Sequence, residues 1–297
     1  MTPNIRSAAD RLMRRNFDPT TSGMARANAD AAAVSLESVT CTFLPSDERS
    51  PPYTAIRDVT LTARDGEFLS IVGPTGCGKS TILNLAAGLL APTTGSIKIF
   101  GEPLTGLNHR AGYLFQSDAL MPWRKAFDNV TAGLEIRGVP QKHRRELGRQ
   151  WLDRVGLHGK DDLYPHQMSG GMRRRVALAQ MLIVDPKIVL MDEPFSALDV
   201  QTRQLMENEL LALWQQDRKS VIFITHDLEE AIAMSDRVVV LSAGPGTHPI
   251  GEFAIDLPRP RDVSEIRLTA RFQELNAQIW NVMRDEVLKG YRRNEQS

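Results

Sequence analysis

Apolar positions recur along this chain in two rhythms, and the alternation between them predicts its layout. Residues 34–40, beginning Val34-Ser35-Leu36, and residues 53–63 place apolar side chains close to every second position, as a half-buried β-strand does. Between them 46–52 is a polar, proline-containing turn, and Arg64-Asp65-Gly66 makes a tight one. Phe68-Leu69-Ser70-Ile71-Val72 is a short, nearly unbroken apolar run, the mark of a strand covered on both faces. The spacing then lengthens, and residues 81–87 read as a helix. A short run at 111–115 follows, and the stretch 117–185 is charged and helical in period, predicting an inserted helical subdomain. Apolar runs return at 188–191, 221–225 and 238–241, with helical segments at about 200–216 and 227–234 between them. Strands alternating with helices predict an α/β fold built on a parallel sheet.

The ends read differently. Residues 1–33 mix arginine, asparagine, serine and alanine and predict a disordered tail, with a short helix near 5–15. Pro258-Arg259-Pro260-Arg261 reads as a stiff linker. Beyond it Ile266, Phe272, Leu275, Ile279, Val282, Met283 and Val287 recur near helical spacing, an amphipathic helix expected to pack on its own domain. The expected division is a tail over 1–33, a main domain over 34–248 and a C-terminal extension over 249–297.

Composition narrows the function classes. The 297 residues are 42% hydrophobic and 24% charged with formal net charge zero, so no overall field draws the chain to nucleic acid or acidic lipid. Two cysteines, Cys41 and Cys77, suggest no disulfide framework and fit a reducing cytoplasm. No apolar stretch has the roughly 18 residues a membrane span needs, and the N-terminal arginines are followed by no apolar signal core.

Chemistry concentrates at strand ends. The run 68–72 is followed by Gly73, Pro74, Thr75, Gly76, Cys77, Gly78, Lys79, Ser80 and Thr81, which contains G-x-x-x-x-G-K-S. A bare glycine turn with a surface lysine is the plain alternative. The strand before and helix after favour instead a loop whose N–H groups wrap a phosphate chain, with Lys79 reaching the β/γ-phosphates and Ser80 holding Mg²⁺. Cys77 lies inside that loop, where a bulky thiol adduct is expected to block ATP.

Asp192 and Glu193 end the run at 188–191. Strand alternation gives neighbours different tasks: Asp192 suits the Mg²⁺ shell, Glu193 the polarising of an attacking water. His226 follows the strand at 221–225, and a neutral imidazole there could bridge Glu193 and the γ-phosphate. The Gln116 amide, after 111–115, can offer an oxygen to Mg²⁺ or hold a water. Ser169, Gly170 and Gly171 precede a good helix, either as a simple cap or as a second anion site. Two separated phosphate sites on one chain imply a two-fold dimer with nucleotide at the seam.

Together these motifs resemble the ATP-binding subunits of ABC transporters, over roughly residues 34–245. The matched set is the phosphate loop 73–81 (Walker A), Gln116 (Q-loop), Ser169-Gly170-Gly171 (signature), Asp192-Glu193 (Walker B and catalytic glutamate), Ser196-Ala197-Leu198-Asp199 (D-loop) and His226 (H-loop). The resemblance implies a RecA-like P-loop NTPase core with an antiparallel β subdomain and an inserted helical subdomain. It also implies ATP and Mg²⁺ as cofactors, Glu193 and His226 as catalytic, Ser80, Gln116 and Asp192 around the metal, and Asp199 at the nucleotide seam. Phe43 matches the aromatic that stacks on adenine, ahead of Tyr53. The implied partners are a second copy in an ATP sandwich, membrane permease subunits and, indirectly, a solute-binding protein, with the chain at the cytoplasmic face of the membrane.

Pro122-Trp123-Arg124, Met172 and the segment 256–261 look like the nitrate/sulfonate/taurine-type importers, which move small, mostly anionic solutes. Met172 stands where most signatures have glutamine, and Gln180 where arginine is commoner. A soluble repair ATPase would need sustained heptads between the phosphate loop and Asp192, a translation ATPase a second cassette, and a non-hydrolysing module would lack Glu193; none of these fits.

Overall fold

The structure, a computed structural model, describes residues 32–45, 51–117, 119–196 and 198–294. The helix expected near 5–15 lies outside the described residues, as does the tail up to residue 31, while Ala32 and Ala33 already belong to the first strand.

That strand, β1 (Ala32–Phe43), pairs antiparallel with β2 (Tyr53–Arg64) and with β4 (Thr94–Ile99), which carries the two-residue β5 (Glu102–Pro103). Strand β3 (Phe68–Val72) leads into helix α1 (Lys79–Ala86), and β6 (Ala111–Leu114) opens the middle of the chain. Regular structure from there to β7 (Ile188–Asp192) is helical: α2 (Ala126–Ile136), α3 (Gln141–Arg154), a 3₁₀ turn (Pro165–Gln167) and α4 (Gly170–Leu182). Helix α5 (Val200–Asp217), strand β8 (Ser220–Ile224), α6 (Leu228–Met234) and β9 (Arg237–Leu241) complete the alternation. The chain ends in β10 (Pro249–Ala254), a short α7 (Val263–Ile266) and the long α8 (Ala270–Asn294).

The main sheet has the order β10-β9-β3-β8-β7-β6, parallel from β9 to β6 and antiparallel at β10. Every residue of β3, β7, β8 and β9 is buried, and the period of two survives inside those apolar runs. Phe68 and Val72 face one core with α5, α6 and α8, whereas Leu69 and Ile71 face the other with α1 and the antiparallel sheet. A third core lies within the helical segment, around Val130, Leu134, Leu152 and Val176. This is the α/β architecture with an added antiparallel sheet and helical insertion that the motifs imply.

The linker reading of 258–261 does not hold. Arg261 is buried, and its guanidinium donates to the carbonyls of Ser235 (2.7 Å), Leu257 (2.9 Å) and Ala233 (3.1 Å). Arg259 adds a bond to Met234 O at 2.8 Å. The carbonyls of 233–235 are the unpaired C-terminal end of α6, so the two arginines cap that helix. Beyond them Phe272, Leu275, Ile279 and Met283 of α8 enter the same core as β3.

Candidate functional site

The phosphate-loop sequence crosses from the C-terminal end of β3 to the N-terminus of α1. Gly78 caps the helix at φ 99°, where a Cβ would lie 3.0 Å from Ile56 Cγ2 and 3.3 Å from Ala55 O, so both conformation and space call for glycine. The helix has no side-chain cap and no acid in its first turn, leaving its N–H groups and partial positive charge for an external anion. Lys79 is buried, and its ammonium donates to Gly73 O at 2.9 Å and Pro74 O at 3.0 Å. Thr75, Gly76 and Ser80 are exposed, Pro74 and Thr81 half-buried. The open rim thus presents backbone and hydroxyl groups around one inward-held cation.

Cys77 turns inward from the loop. Its thiol is 1% exposed, and burial raises its pKa. A reagent meets a shielded, protonated thiol here, not one presented on the rim of the loop.

Asp192 is the last residue of β7 and is buried; desolvation raises its pKa while a hydrogen bond with Ser80 opposes the rise. That hydroxyl–carboxylate pair fits a divalent cation only in part. Among the described residues no group of three or more His, Cys, Asp or Glu could hold a metal ion, so Mg²⁺ would take its remaining oxygens from phosphate and water. Burial, with the negative charge of Asp192 added to it, pushes the Tyr113 phenol pKa upward.

Glu193 lies just past β7 at φ 42°, a left-handed turn for a non-glycine residue. Its direction is therefore set by this turn, not by the strand alternation argued from sequence, and its N–H is held by Ile224 O at 2.9 Å. Its Oε2 accepts Gln116 Nε2 at 3.2 Å and meets His226 Nδ1 at 3.1 Å. Side chains following β6, β7 and β8 thus converge on one carboxylate oxygen. Gln116 presents its amide N–H₂ to Glu193 in this arrangement. The turn at His226 is fixed by Asp227, which caps α6 by accepting from Glu229 N and Glu230 N, and by Thr225, which donates to Glu230 at 2.6 Å.

The remaining expected residues stand apart. Ser169 caps α4, accepting from Met172 N at 3.2 Å, and among the described residues no hydrogen bond joins Ser169, Gly170 or Gly171 to the loop 73–81. Asp199 caps α5 through Thr202 N at 3.0 Å, a bond that lowers its pKa. Phe43 is exposed at the end of β1, paired in register with the equally exposed Tyr53. Sequence reasoning missed Arg174, the middle of three consecutive arginines, which alone of the three is buried. Composition gives no signal for which of the three turns inward.

A family model described as ABC transporter matches residues 56–196. Over 236 residues the chain is 48% identical to an uncharacterized ABC transporter ATP-binding protein of Methanocaldococcus jannaschii, covering 79% of this chain and 86% of the relative. It is 46% identical over 192 residues to the taurine import ATP-binding protein TauB of Escherichia coli, covering 65% and 75% of the two chains. Among solved structures, a dimeric post-hydrolysis state of an ATP-binding cassette bound to ADP and Pi superposes with TM-score 0.67 at 31% identity, covering 76% of this chain and 100% of the other.

Proposed function

This chain belongs to the ABC transporter ATP-binding family and is an ATPase, and we propose that it energises a membrane importer of a small anionic solute of the sulfonate or nitrate kind. The observation that carries the catalytic part is the meeting of Gln116 and His226 on Glu193 Oε2, at strand ends beside an uncapped helix N-terminus.

Each residue then has a task. Backbone N–H groups of 73–81 and the start of α1 receive the phosphates, and Lys79 turns its charge from the Gly73 and Pro74 carbonyls toward them. Ser80, Asp192 and Gln116 are the residues that would hold Mg²⁺. The bound metal would supply charge neutralisation on the phosphates. Glu193 takes up the proton of the attacking water, and His226 keeps the carboxylate oriented. Phe43 is a stacking surface for the base.

Ser169, Gly170, Gly171 and Asp199 serve across a two-fold interface. They stand at the N-terminal ends of α4 and α5, with no hydrogen bond to the chain's own loop among the described residues, and the solved cassette is dimeric. Importer direction rests on TauB and its relatives and on Pro122-Trp123-Arg124, where Trp123 is 74% exposed. That surface suits a permease subunit at the cytoplasmic face, with a solute-binding protein delivering the solute. Among the described residues no helix is long and apolar enough to cross a membrane. We assign the ATPase domain to 34–248, the helical subdomain to about 117–185 and the C-terminal extension to 249–297.

Glu193→Gln tests the core of this reading. It keeps an oxygen to accept from Gln116 and His226 but removes the base, so turnover should fall by about two orders of magnitude or more with ATP still bound. Size-exclusion chromatography with ATP should show a dimer, and adding Ser169→Arg should return it to monomer. Near wild-type hydrolysis by Glu193→Gln, or a persistent dimer in the double variant, would refute the respective assignment.

A further inference from the structure

Residues 173–175 are all arginine, yet they do three different things. Arg173 Nη1 donates to Met168 O just ahead of its own helix, and Arg175 reaches across to Met206 and Glu209 of α5. Arg174, 3% exposed, points into the molecule. Its Nε donates to Pro194 O at 2.5 Å and its Nη1 to Phe115 O at 2.7 Å. These two acceptors directly follow Glu193 and directly precede Gln116. The β6–β7 ladder ends at the pair Leu114 and Met191, so past that rung the backbones leading to Gln116 and Glu193 have no strand pairing between them. One planar guanidinium spans the gap, and its fork of donors suits two acceptors better than a lysine ammonium would.

The same helix is capped by Ser169, and among the described residues no hydrogen bond ties that end to the chain's own phosphate loop. We propose that Arg174 is a positioning residue that locks the Gln116 and Glu193 backbones to helix α4, so that seating of the 169–171 end on a partner's nucleotide is transmitted to this chain's own hydrolytic carboxylate. This rests on the reading of Glu193 and of the shared interface given above. It makes α4 a rigid lever: Ser169 at one end, and less than two turns on, a side chain holding both halves of the Gln116–Glu193 contact.

The test uses the full chain with Arg174→Lys, which keeps charge and stem but not the two-acceptor fork, and Arg174→Gln, which keeps one amide donor. Turnover, binding of a fluorescent ATP analogue and thermal melting are measured for each, alone and combined with Gln116→Ala. Arg174→Lys should lower kcat about tenfold, the scale of one charge-assisted hydrogen bond, while analogue affinity stays within about twofold. In the Glu193→Gln background it should still give the ATP-dependent dimer, because the 169–171 end is untouched. Because Arg174 acts partly through Gln116, the combined loss with Gln116→Ala should fall short of the product of the single losses by about threefold or more. Unchanged kcat, parallel loss of nucleotide affinity and kcat, or strictly multiplicative losses would overturn the positioning role. So would failure of both variants to fold, which would make Arg174 a folding residue. A wild-type chain without ATPase activity would instead overturn the underlying catalytic reading, and this inference with it.

Discussion

Replacing Arg261 by methionine keeps the apolar stem and removes the guanidinium. Three of its hydrogen bonds are short, to Ser235, Leu257 and Ala233, and longer ones reach Pro258, Ile232 and Ile255. Among the described residues no carboxylate pairs with it; its charge rests on carbonyl dipoles at the C-terminal end of α6. Burial, with repulsion from Arg259, lowers its pKa to about 10, a sign that holding this charge is costly. Each charge-assisted bond contributes about 1.5–3 kcal/mol net, so three give roughly 4–9 kcal/mol before that cost is set against them. Each carbonyl left buried without its donor costs about 1–3 kcal/mol, so with the relieved cost of burying the charge set against it the net loss is about 3–5 kcal/mol. At about 2–4 °C per kcal/mol for a chain approaching this size, the melting temperature should fall by roughly 10 °C. Circular dichroism melts and urea titrations at pH 7 measure it, with Arg261→Lys expected to lose about half as much. A fall under about 2 °C for Arg261→Met would show that water reaches these carbonyls, and the capping argument would fail.

Two further outcomes follow from buried ionisable groups. Maleimide should label Cys77 of the folded protein at pH 7 at least about tenfold more slowly than in urea, as its burial and raised pKa require; rapid stoichiometric labelling mapped to Cys77 by mass spectrometry would contradict the inward-facing thiol. Glu207 is fully buried, 3.3 Å from Arg267 with Glu230 and Asp227 also acting on it, and burial raises its pKa from 4.5 to about 8. The folded chain keeps that proton between those values and the unfolded chain does not, so Glu207 makes stability fall as pH rises from about 5 to 8. Glu207→Gln should flatten this part of the melting-temperature profile; an unchanged slope would remove Glu207 as its source.

Much of the fold was legible because buried strands leave so strong a signature. The runs at 68–72, 188–191 and 238–241 emerged as β3, β7 and β9 nearly to the residue. Strand β4 escaped notice because Thr94, Gly95 and Ser96 are exposed, so its outer half carries no apolar alternation. Gly95 is there for closeness: a Cβ would come within 2.4 Å of Ser38 O. Residues 258–261 misled because proline and arginine resemble a solvated linker, and only the unpaired carbonyls of α6 reveal what the arginines are for. At the site, Lys79, Asp192, Glu193 and His226 were readable as residues that follow strands. What could not be read was how they meet: the left-handed turn at Glu193 and the inward choice of Arg174 depend on neighbours distant in sequence.

Strand β3 runs down the middle of the main sheet, and both its hydrogen-bonding neighbours, β8 and β9, lie beyond residue 219. On a ribosome this fully buried segment, and the phosphate loop hung from it, emerge long before either edge can be covered. The nascent chain therefore carries an open, apolar strand edge until β8 and β9 have been made, the kind of surface that invites wrong pairing or a holding chaperone. The phosphate loop therefore gains its finished surroundings only once β9 has left the exit tunnel, and until then its supporting strand has neither of its neighbours.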